Sequence, residues 1–226
     1  MYDKEELEEQ IKIFLAIMVK NFPTFPIDRF KENFATLNIN NLVLKYNFSC
    51  YLNDGNSKSI NILNKEAFFH EMLHFASDKN YIDKVMIGFE YSNEKYKRLG
   101  RGLNECYTEL ICSRYFSSIE NMVKIMSVAQ IAYRLEEVIG RQKMGDLYFN
   151  GNLFDIVREL IKLSSEEESI QFILDFDEFY DVHYSSLKTN TLEQNKELIN
   201  NLSNKLLKFI DKCLEAKNNI NKKSSI

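Results

Sequence analysis

Residues 70–74 read His70-Glu71-Met72-Leu73-His74, an HExxH arrangement within an apolar segment. Residues four apart on an α-helix lie about 40° from one another around the axis and one turn apart, so both imidazoles can reach a single metal ion. Glu71 lies ~100° round the helix from His70, where its carboxylate can touch metal-bound water without ligating the metal. The sequence predicts that this helix covers Lys65–Ala76, with Asn64 as its N-cap.

A second group of chemically active residues follows some thirty positions later. The chain there reads Asn104-Glu105-Cys106-Tyr107-Thr108-Glu109 on a predicted helix, and Glu105 and Glu109 share one helix face because they are four apart. A catalytic zinc ion needs three protein ligands and one open position, so a ligand from this separate helix would complete the pair of histidines. The alternative is two ordinary histidines on an amphipathic surface and two glutamates on a solvated acidic face.

Together, the two motifs resemble the gluzincin metallopeptidases, the thermolysin-like group, in which HExxH is followed by a helix bearing Asn-Glu-x-x-Ser-Asp or a variant. This chain differs in having Thr108 where the group has Ser and Glu109 where it has Asp. The resemblance covers only about residues 64–116, and a chain of 226 residues is too short for the full thermolysin architecture. It therefore implies a minimal zincin-like fold.

The resemblance also implies a role for each matching residue. One Zn²⁺ per chain would be held by His70, His74 and Glu105, with water in the fourth position. Glu71 would act as general base, taking a proton from that water. Glu109 matches the outer carboxylate that accepts a hydrogen bond from a ligating imidazole and fixes its tautomer.

Peptide hydrolysis also needs a donor for the negative charge that develops on the carbonyl oxygen. Thermolysin-like enzymes use a downstream histidine and a tyrosine for this purpose. His183 is the remaining histidine of the chain, and we expect it to be the catalytic donor, with Asp181 or Tyr184 assisting. The alternative is an ordinary surface histidine. Arg101 and Arg134 are candidates for binding a substrate carboxylate, although most arginines are surface charges.

The N-terminal part of the chain mixes helical and strand patterns. Apolar spacing predicts helices over residues 3–20 and 27–37, and strict alternation then predicts a strand over Leu42–Leu52. Asn53-Asp54-Gly55-Asn56 supplies a turn, after which Ser59–Leu63 can return as the antiparallel partner. A third β-like run covers Val85–Tyr91.

The chain is predicted to be helical almost throughout after Gly102. The expected helices cover Leu103–Tyr115, Ile119–Ile139, Leu153–Leu163, Ser169–Tyr180 and Leu192–Leu214, followed by a polar, frayed tail over 217–226. The acidic run at 175–178 is interpreted as a solvated helix face. The fold class is therefore α+β and mostly helical, with a small antiparallel sheet, an active-site helix and a helical C-terminal lobe. We expect one domain over 1–216, divided into lobes at about 1–92 and 103–216.

Composition and charge limit the partners that we expect. Lys and Arg number 29 and Asp and Glu 33, and this net charge of −4 argues against a nucleic-acid-binding protein. No stretch approaches the ~20 uncharged apolar residues of a membrane helix, and the acidic N-terminus is unlike a secretory signal. The four cysteines form no CxxC pair, which favours reduced thiols in a cytoplasmic protein. The oligomeric state stays open.

The sequence therefore predicts a zinc-dependent peptidase that acts on a peptide or protein substrate. The alternative is a catalytically silent zinc-binding module that binds a partner protein or has a regulatory role, with the helix near Leu192–Leu214 at the interface. Glu71 favours the enzyme, because a purely structural zinc site closes its fourth position and needs no general base. In zincins an edge strand pairs with the extended substrate, and the three predicted β-runs leave open which one this would be.

Overall fold

The computed structural model describes residues 4–41, 50–53, 58–62, 67–79, 84–93, 96–116 and 119–223. The helices are α1 (Lys4–Asn21), α2 (Ile27–Phe34), α3 (Phe68–Ser77), α4 (Arg101–Tyr115), α5 (Ile119–Ile139), α6 (Arg141–Phe149), α7 (Leu153–Ile161), α8 (Glu166–Thr189) and α9 (Lys196–Lys223). The strands are β1 (Leu37–Asn41), β2 (Cys50–Asn53), β3 (Lys58–Ile62), β4 (Lys84–Ile87), β5 (Glu90–Asn93) and β6 (Tyr96–Leu99). The chain is thus mostly helical with a small β component, as the sequence predicts for an α+β protein.

The first sheet has the strand order β1-β3-β2, so β3 is central and β2 is an edge. β2 pairs antiparallel with β3, with Tyr51 opposite Ile60, which confirms the predicted return strand. Most of the predicted strand 42–52 lies outside the described residues. β1 was not predicted: it begins at Leu37, the last residue of the segment expected to be the second helix. It runs parallel to β3, so this sheet is mixed rather than antiparallel. Helix α2 ends at Phe34 because Leu37 and Ile39 alternate with asparagines, a strand pattern.

The second sheet is antiparallel in the order β4-β5-β6, and it was predicted only as the single run 85–91. That run is a hairpin whose turn contains Gly88, with a φ of +55°. A Cβ at Gly88 would lie 2.1 Å from Oδ1 of Asn104 and 2.5 Å from the Tyr148 ring, so only glycine fits. The turn therefore presses the hairpin against α4, the helix that carries Glu105.

Helix α3 is the centre of the N-terminal half. It packs against β2 and β3 on one side and against α4, α6 and β4 on the others. Its apolar residues are buried in a core rich in phenylalanine, and the Phe75 ring lies 5.2 Å from that of Phe30. Burial of each such ring stabilises the fold by about 1.5–3 kcal/mol. This packing fixes the face of α3 that carries the two histidines.

The helical half differs from the prediction mainly in the lengths of its helices. α8 and α9 are longer than expected, and α9 continues to Lys223 across most of the predicted frayed tail. α6 was not predicted, because Gly145 interrupts its sequence pattern. That glycine is needed for packing, since a Cβ there would lie 2.5 Å from the Phe22 ring. None of the helices in the described ranges is long and apolar enough to cross a membrane.

The acidic run at 175–178 is not the solvated face that the sequence suggested. Asp177 on α8 accepts hydrogen bonds from the backbone N–H of Gly100 (2.8 Å) and of Gly102 (2.7 Å), at the start of α4. Burial raises the pKa of this carboxyl, and the two hydrogen bonds lower it in part. Asp175 is also buried, and it accepts a hydrogen bond from Nζ of Lys205 at 2.7 Å. The run therefore ties α8 to α4 and to α9.

Candidate metal centre

Helices α3 and α4 bring two imidazoles and one carboxylate together. Nε2 of His70 lies 2.9 Å from Nε2 of His74 and 3.2 Å from Oε2 of Glu105, and the separation between His74 Nε2 and Glu105 Oε2 is 3.5 Å. These three residues form a group that could hold a metal ion. They come from two helices packed against one another, so the group depends on the tertiary fold as well as on the HExxH spacing.

The separations fit a four-coordinate ion. Bonds of ~2.0–2.1 Å at tetrahedral angles place two ligand atoms roughly 3.4 Å apart, close to the observed 2.9–3.5 Å. The His74 side chain is 9% exposed, whereas those of His70 and Glu105 are 17% and 18% exposed. Solvent therefore reaches the group from one side, where a fourth position would lie.

A second carboxylate holds the far side of the first imidazole. Oε1 of Glu109 lies 3.0 Å from Nδ1 of His70, and Glu109 is one turn beyond Glu105 on the same face of α4. The thiol of Cys112, one turn from Glu109, also hydrogen-bonds to His70. Nδ1 is thereby committed to protein partners, which leaves Nε2 directed at the group.

The second imidazole is held by an amide that the sequence reasoning did not single out. Asn104 is 1% exposed, and its side-chain amide lies 3.3 Å from Nδ1 of His74. Its Oδ1 also accepts a hydrogen bond from the backbone N–H of Phe89, in the β4–β5 turn, at 3.1 Å. Thr108 donates to the backbone oxygen of Asn104 and lies 2.7 Å from the Tyr148 hydroxyl. The signal was present in the sequence, since both residues belong to Asn-Glu-x-x-Thr-Glu.

The protonation states of His70 and Glu105 depend on one another. Burial by itself lowers the pKa of His70, but Glu109, Cys112 and Glu105 outweigh burial and raise this pKa well above its usual value. Burial raises the pKa of Glu105, and the two histidines more than offset it, so the pKa is held well below its usual range. The protein alone therefore favours an imidazolium next to a carboxylate. A metal ion that binds there must displace the proton of His70.

Glu71 lies on the flank of α3 and not among the three ligand atoms. It is 6% exposed, and its Oε2 accepts a hydrogen bond from the backbone N–H of Tyr51 at 2.6 Å. Tyr51 is on β2, which is an edge strand among the strands that the structure describes, and it pairs with Ile60 of β3. The carboxylate is therefore fixed between α3 and β2.

Tyr180 on α8 is a further side chain close to the group, and the sequence reasoning missed it. Burial and the charge of Glu105 raise its pKa, while Arg101 and His70 lower it in part. The hydroxyl therefore stays protonated, and it makes no hydrogen bond to any residue that the structure describes. Nothing local in the sequence marks Tyr180, because α8 reaches α4 only through long-range packing.

The contacts of the other predicted residues in the described chain are with residues outside the group of His70, His74 and Glu105. His183 is in the interior of α8 rather than after a helix, and its ring packs 5.9 Å from that of Phe179. Burial lowers its pKa, and its contacts in the described chain do not reach the ligand group. Tyr184 stacks on Tyr180 at 5.5 Å, and Arg134 pairs with Glu137 and Asp211 on the surface.

Comparison with known proteins gives no relative: no family model, no curated protein and no solved structure matches this chain. None of the four cysteines, all of which lie in the described residues, is in a disulfide bond. Any functional assignment consequently depends on the chemistry of the site itself.

Proposed function

We propose that this protein is a zinc-dependent peptidase of the gluzincin type, with a minimal zincin-like fold. The observation that carries the proposal is the convergence of His70, His74 and Glu105 on one point at separations suited to tetrahedral coordination, with Glu71 on the flank. Two imidazole nitrogens and one carboxylate oxygen are donors typical of catalytic zinc sites, and the partial exposure of the group suits an open position.

The chain supplies outer partners of the kind that such a metal requires. Glu109 is placed to hold His70, and the amide of Asn104 is placed to hold His74. Zinc in this position supplies a Lewis acid for the scissile carbonyl and lowers the pKa of bound water to about 7. The protein residues then have to orient the substrate and move the proton.

Glu71 is the proposed general base. Its carboxylate takes the proton from the attacking water and later delivers it to the leaving amine. The backbone N–H of Tyr51 donates a hydrogen bond to Oε2 of Glu71, which orients the carboxylate. The second oxygen, Oε1, takes no part in that hydrogen bond. A purely structural zinc site needs no general base, so a Glu at this position supports an enzyme over a silent module.

Tyr180, rather than His183, is the proposed donor to the developing oxyanion. A protonated phenol near Glu105 and His70 can donate to a carbonyl oxygen as negative charge grows on it. His183 packs within its own helix against Phe179, and none of its contacts in the described chain is with His70, His74 or Glu105, which makes Tyr180 the better supported donor.

The proposed substrate-aligning strand is β2. Ser59–Leu63 is excluded, because β3 is the central strand of its sheet. β2 is an edge, and its residue Tyr51 already contacts Glu71, so a peptide that extends this sheet would lie alongside the proposed base.

The test is cleavage of a mixed peptide library by the purified protein. Cleavage that a chelator abolishes and zinc restores is the expected result. Stoichiometric zinc binding with no cleavage in the library would favour the alternative, a zinc-binding interaction module. A protein that binds no zinc would refute both.

A further inference from the structure

Arg101 occupies a position that the proposed mechanism does not use. It is the first residue of α4, one turn before Glu105, so the two side chains share a helix face. The glycines on either side of it donate their N–H groups to Asp177. The backbone of Arg101 is therefore tied down next to the metal-ligating helix face.

The guanidinium group lies against two aromatic rings. Its Cζ is 5.4 Å from the centre of the Tyr180 ring and 6.0 Å from that of Tyr184, and the side chain is 33% exposed. A cation over the face of a tyrosine ring is attracted to it without using its N–H donors. Arg101 is thus a positioned cation beside the proposed oxyanion donor.

The hydrogen-bond donors of Arg101 are not engaged by the described chain. The nearest carboxylate, that of Asp181, lies 3.6 Å away with its side chain 66% exposed, which makes the ion pair weak and easily exchanged. Arg114 provides a contrast, because its two terminal nitrogens bind both oxygens of Glu136 at 3.0 and 2.7 Å. A guanidinium that lies over tyrosine rings and makes only one weak, exposed ion pair in the described chain is suited to bind a planar carboxylate from outside.

We infer that Arg101 selects substrates that carry a carboxylate close to the scissile bond. This inference rests on the proposed peptidase function. The carboxylate is either an acidic side chain or the free C-terminus of the peptide, since both present the same two oxygens to the fork. The negative charges of Glu105, Asp181 and Glu90 also act on Arg101 and oppose the approach of a carboxylate. This opposition is partial, because a bound metal would neutralise Glu105, Asp181 is exposed, and Glu90 pairs with Arg98 at 3.1 Å.

The first arm of the test measures binding rather than turnover. Dicarboxylic acid monohydroxamates of increasing length, from succinic to adipic, are compared with their matched amides by calorimetry on the zinc-loaded protein. We expect the acid to bind about 10- to 100-fold more tightly than its amide at one length, and this preference to disappear in Arg101→Met. Arg101→Lys, which keeps the charge and loses the fork, should retain part of it.

Arg141→Met is the matched control. Arg141 also lies over a tyrosine, 5.6 Å from the Tyr115 ring, but Tyr115 is ten residues or ~15 Å along α4 from Glu105. Its removal should leave the acid preference intact. Thermal melting of each variant identifies any loss of folding, and the ratio of acid to amide affinity does not depend on the fraction folded.

The second arm distinguishes the two sources of the carboxylate. Peptide pairs with Asp or Glu against Asn or Gln, and with a free against an amidated C-terminus, are compared for cleavage. If the preference for acid survives in Arg101→Met, or if no hydroxamate length shows a preference, the inference about Arg101 is overturned and the proposed function is not. Failure of acids and amides alike to bind would overturn the open metal position, and with it the proposed function.

Discussion

The two sides of the candidate site are built in different ways. On the α3–α4 side, each imidazole has its own hydrogen-bond partner, Glu109 for His70 and the buried Asn104 for His74. Asn104 is in turn held by the backbone N–H of Phe89 and by the Thr108 hydroxyl. On the α8 side, Tyr180 packs against the core, stacks on Tyr184 and lies under Arg101, and its hydroxyl has no hydrogen-bond partner in the described chain. The first side has the order that metal ligands would require, and the second has a donor that the proposed substrate could use.

The largest expected effect on the α3–α4 side is that of losing a metal ligand. Glu105→Ala removes one of three metal ligands, so we expect loss of stoichiometric zinc and of turnover together, with equilibrium dialysis and peptide cleavage as the measurements. Glu90→Ala is the control, because Glu90 is buried nearby without being a ligand. Unchanged zinc affinity in Glu105→Ala would mean that the third ligand is another residue.

Glu71→Gln, also on the α3–α4 side, should lower turnover without lowering zinc occupancy. Glutamine keeps the shape of the side chain and cannot accept the proton, so we expect turnover to fall about 10²–10⁴-fold with zinc occupancy near one per chain. Metal analysis and steady-state kinetics on one preparation measure both. Intact turnover in the zinc-loaded variant would place the base elsewhere.

Tyr180→Phe tests the α8 side. Removal of the hydroxyl should lower kcat about 10²–10³-fold without changing zinc affinity, because the donor acts on the transition state and not on the metal. His183→Ala, on the next turn of α8, should behave like the parent protein. The opposite pattern would restore His183 as the donor.

Glu109→Ala should weaken zinc binding less than loss of a ligand. Outer partners of metal-bound histidine contribute about 10–100-fold in affinity, and we expect a loss of that size in competition titrations. An effect as large as that of Glu105→Ala would show that the roles of the two glutamates are exchanged.

A smaller expected effect is on the pH dependence of stability, and it arises from Lys79, just after the end of α3. Burial and the charge of Arg29 lower the pKa of Lys79 to about 7, with partial compensation from Asp78 and Asp155. The unfolded chain therefore binds more protons than the folded chain between pH 7 and the ordinary lysine pKa of about 10.4, so stability rises with pH over that window. Denaturation midpoints should increase from pH 7 to 10 in the parent and change less in Lys79→Met.

The α3–α4 side of the candidate site could be predicted from the sequence far better than the α8 side. HExxH and Asn-Glu-x-x-Thr-Glu are helical spacings, so local geometry already places their side chains on common faces. Tyr180 comes near Glu105 only because α8 packs on α4, and no local pattern contains that information. The parallel pairing of β1 with β3 was missed for the same reason, since strand partners are chosen by tertiary contacts.

The tie between Asp177 and the start of α4 has a consequence for the energetics of catalysis. The largely buried carboxylate of Asp177 binds two backbone amides at the start of α4. Tyr180 is less than one turn beyond Asp177 on α8, so these hydrogen bonds keep it at a set distance from α4. Separating the two helices would break both hydrogen bonds at once and expose the carboxylate. The ordering entropy of this part of the candidate site is therefore lost when the chain folds. For the proposed peptidase, the site would be preorganised, and substrate association would require no hinge motion between α4 and α8.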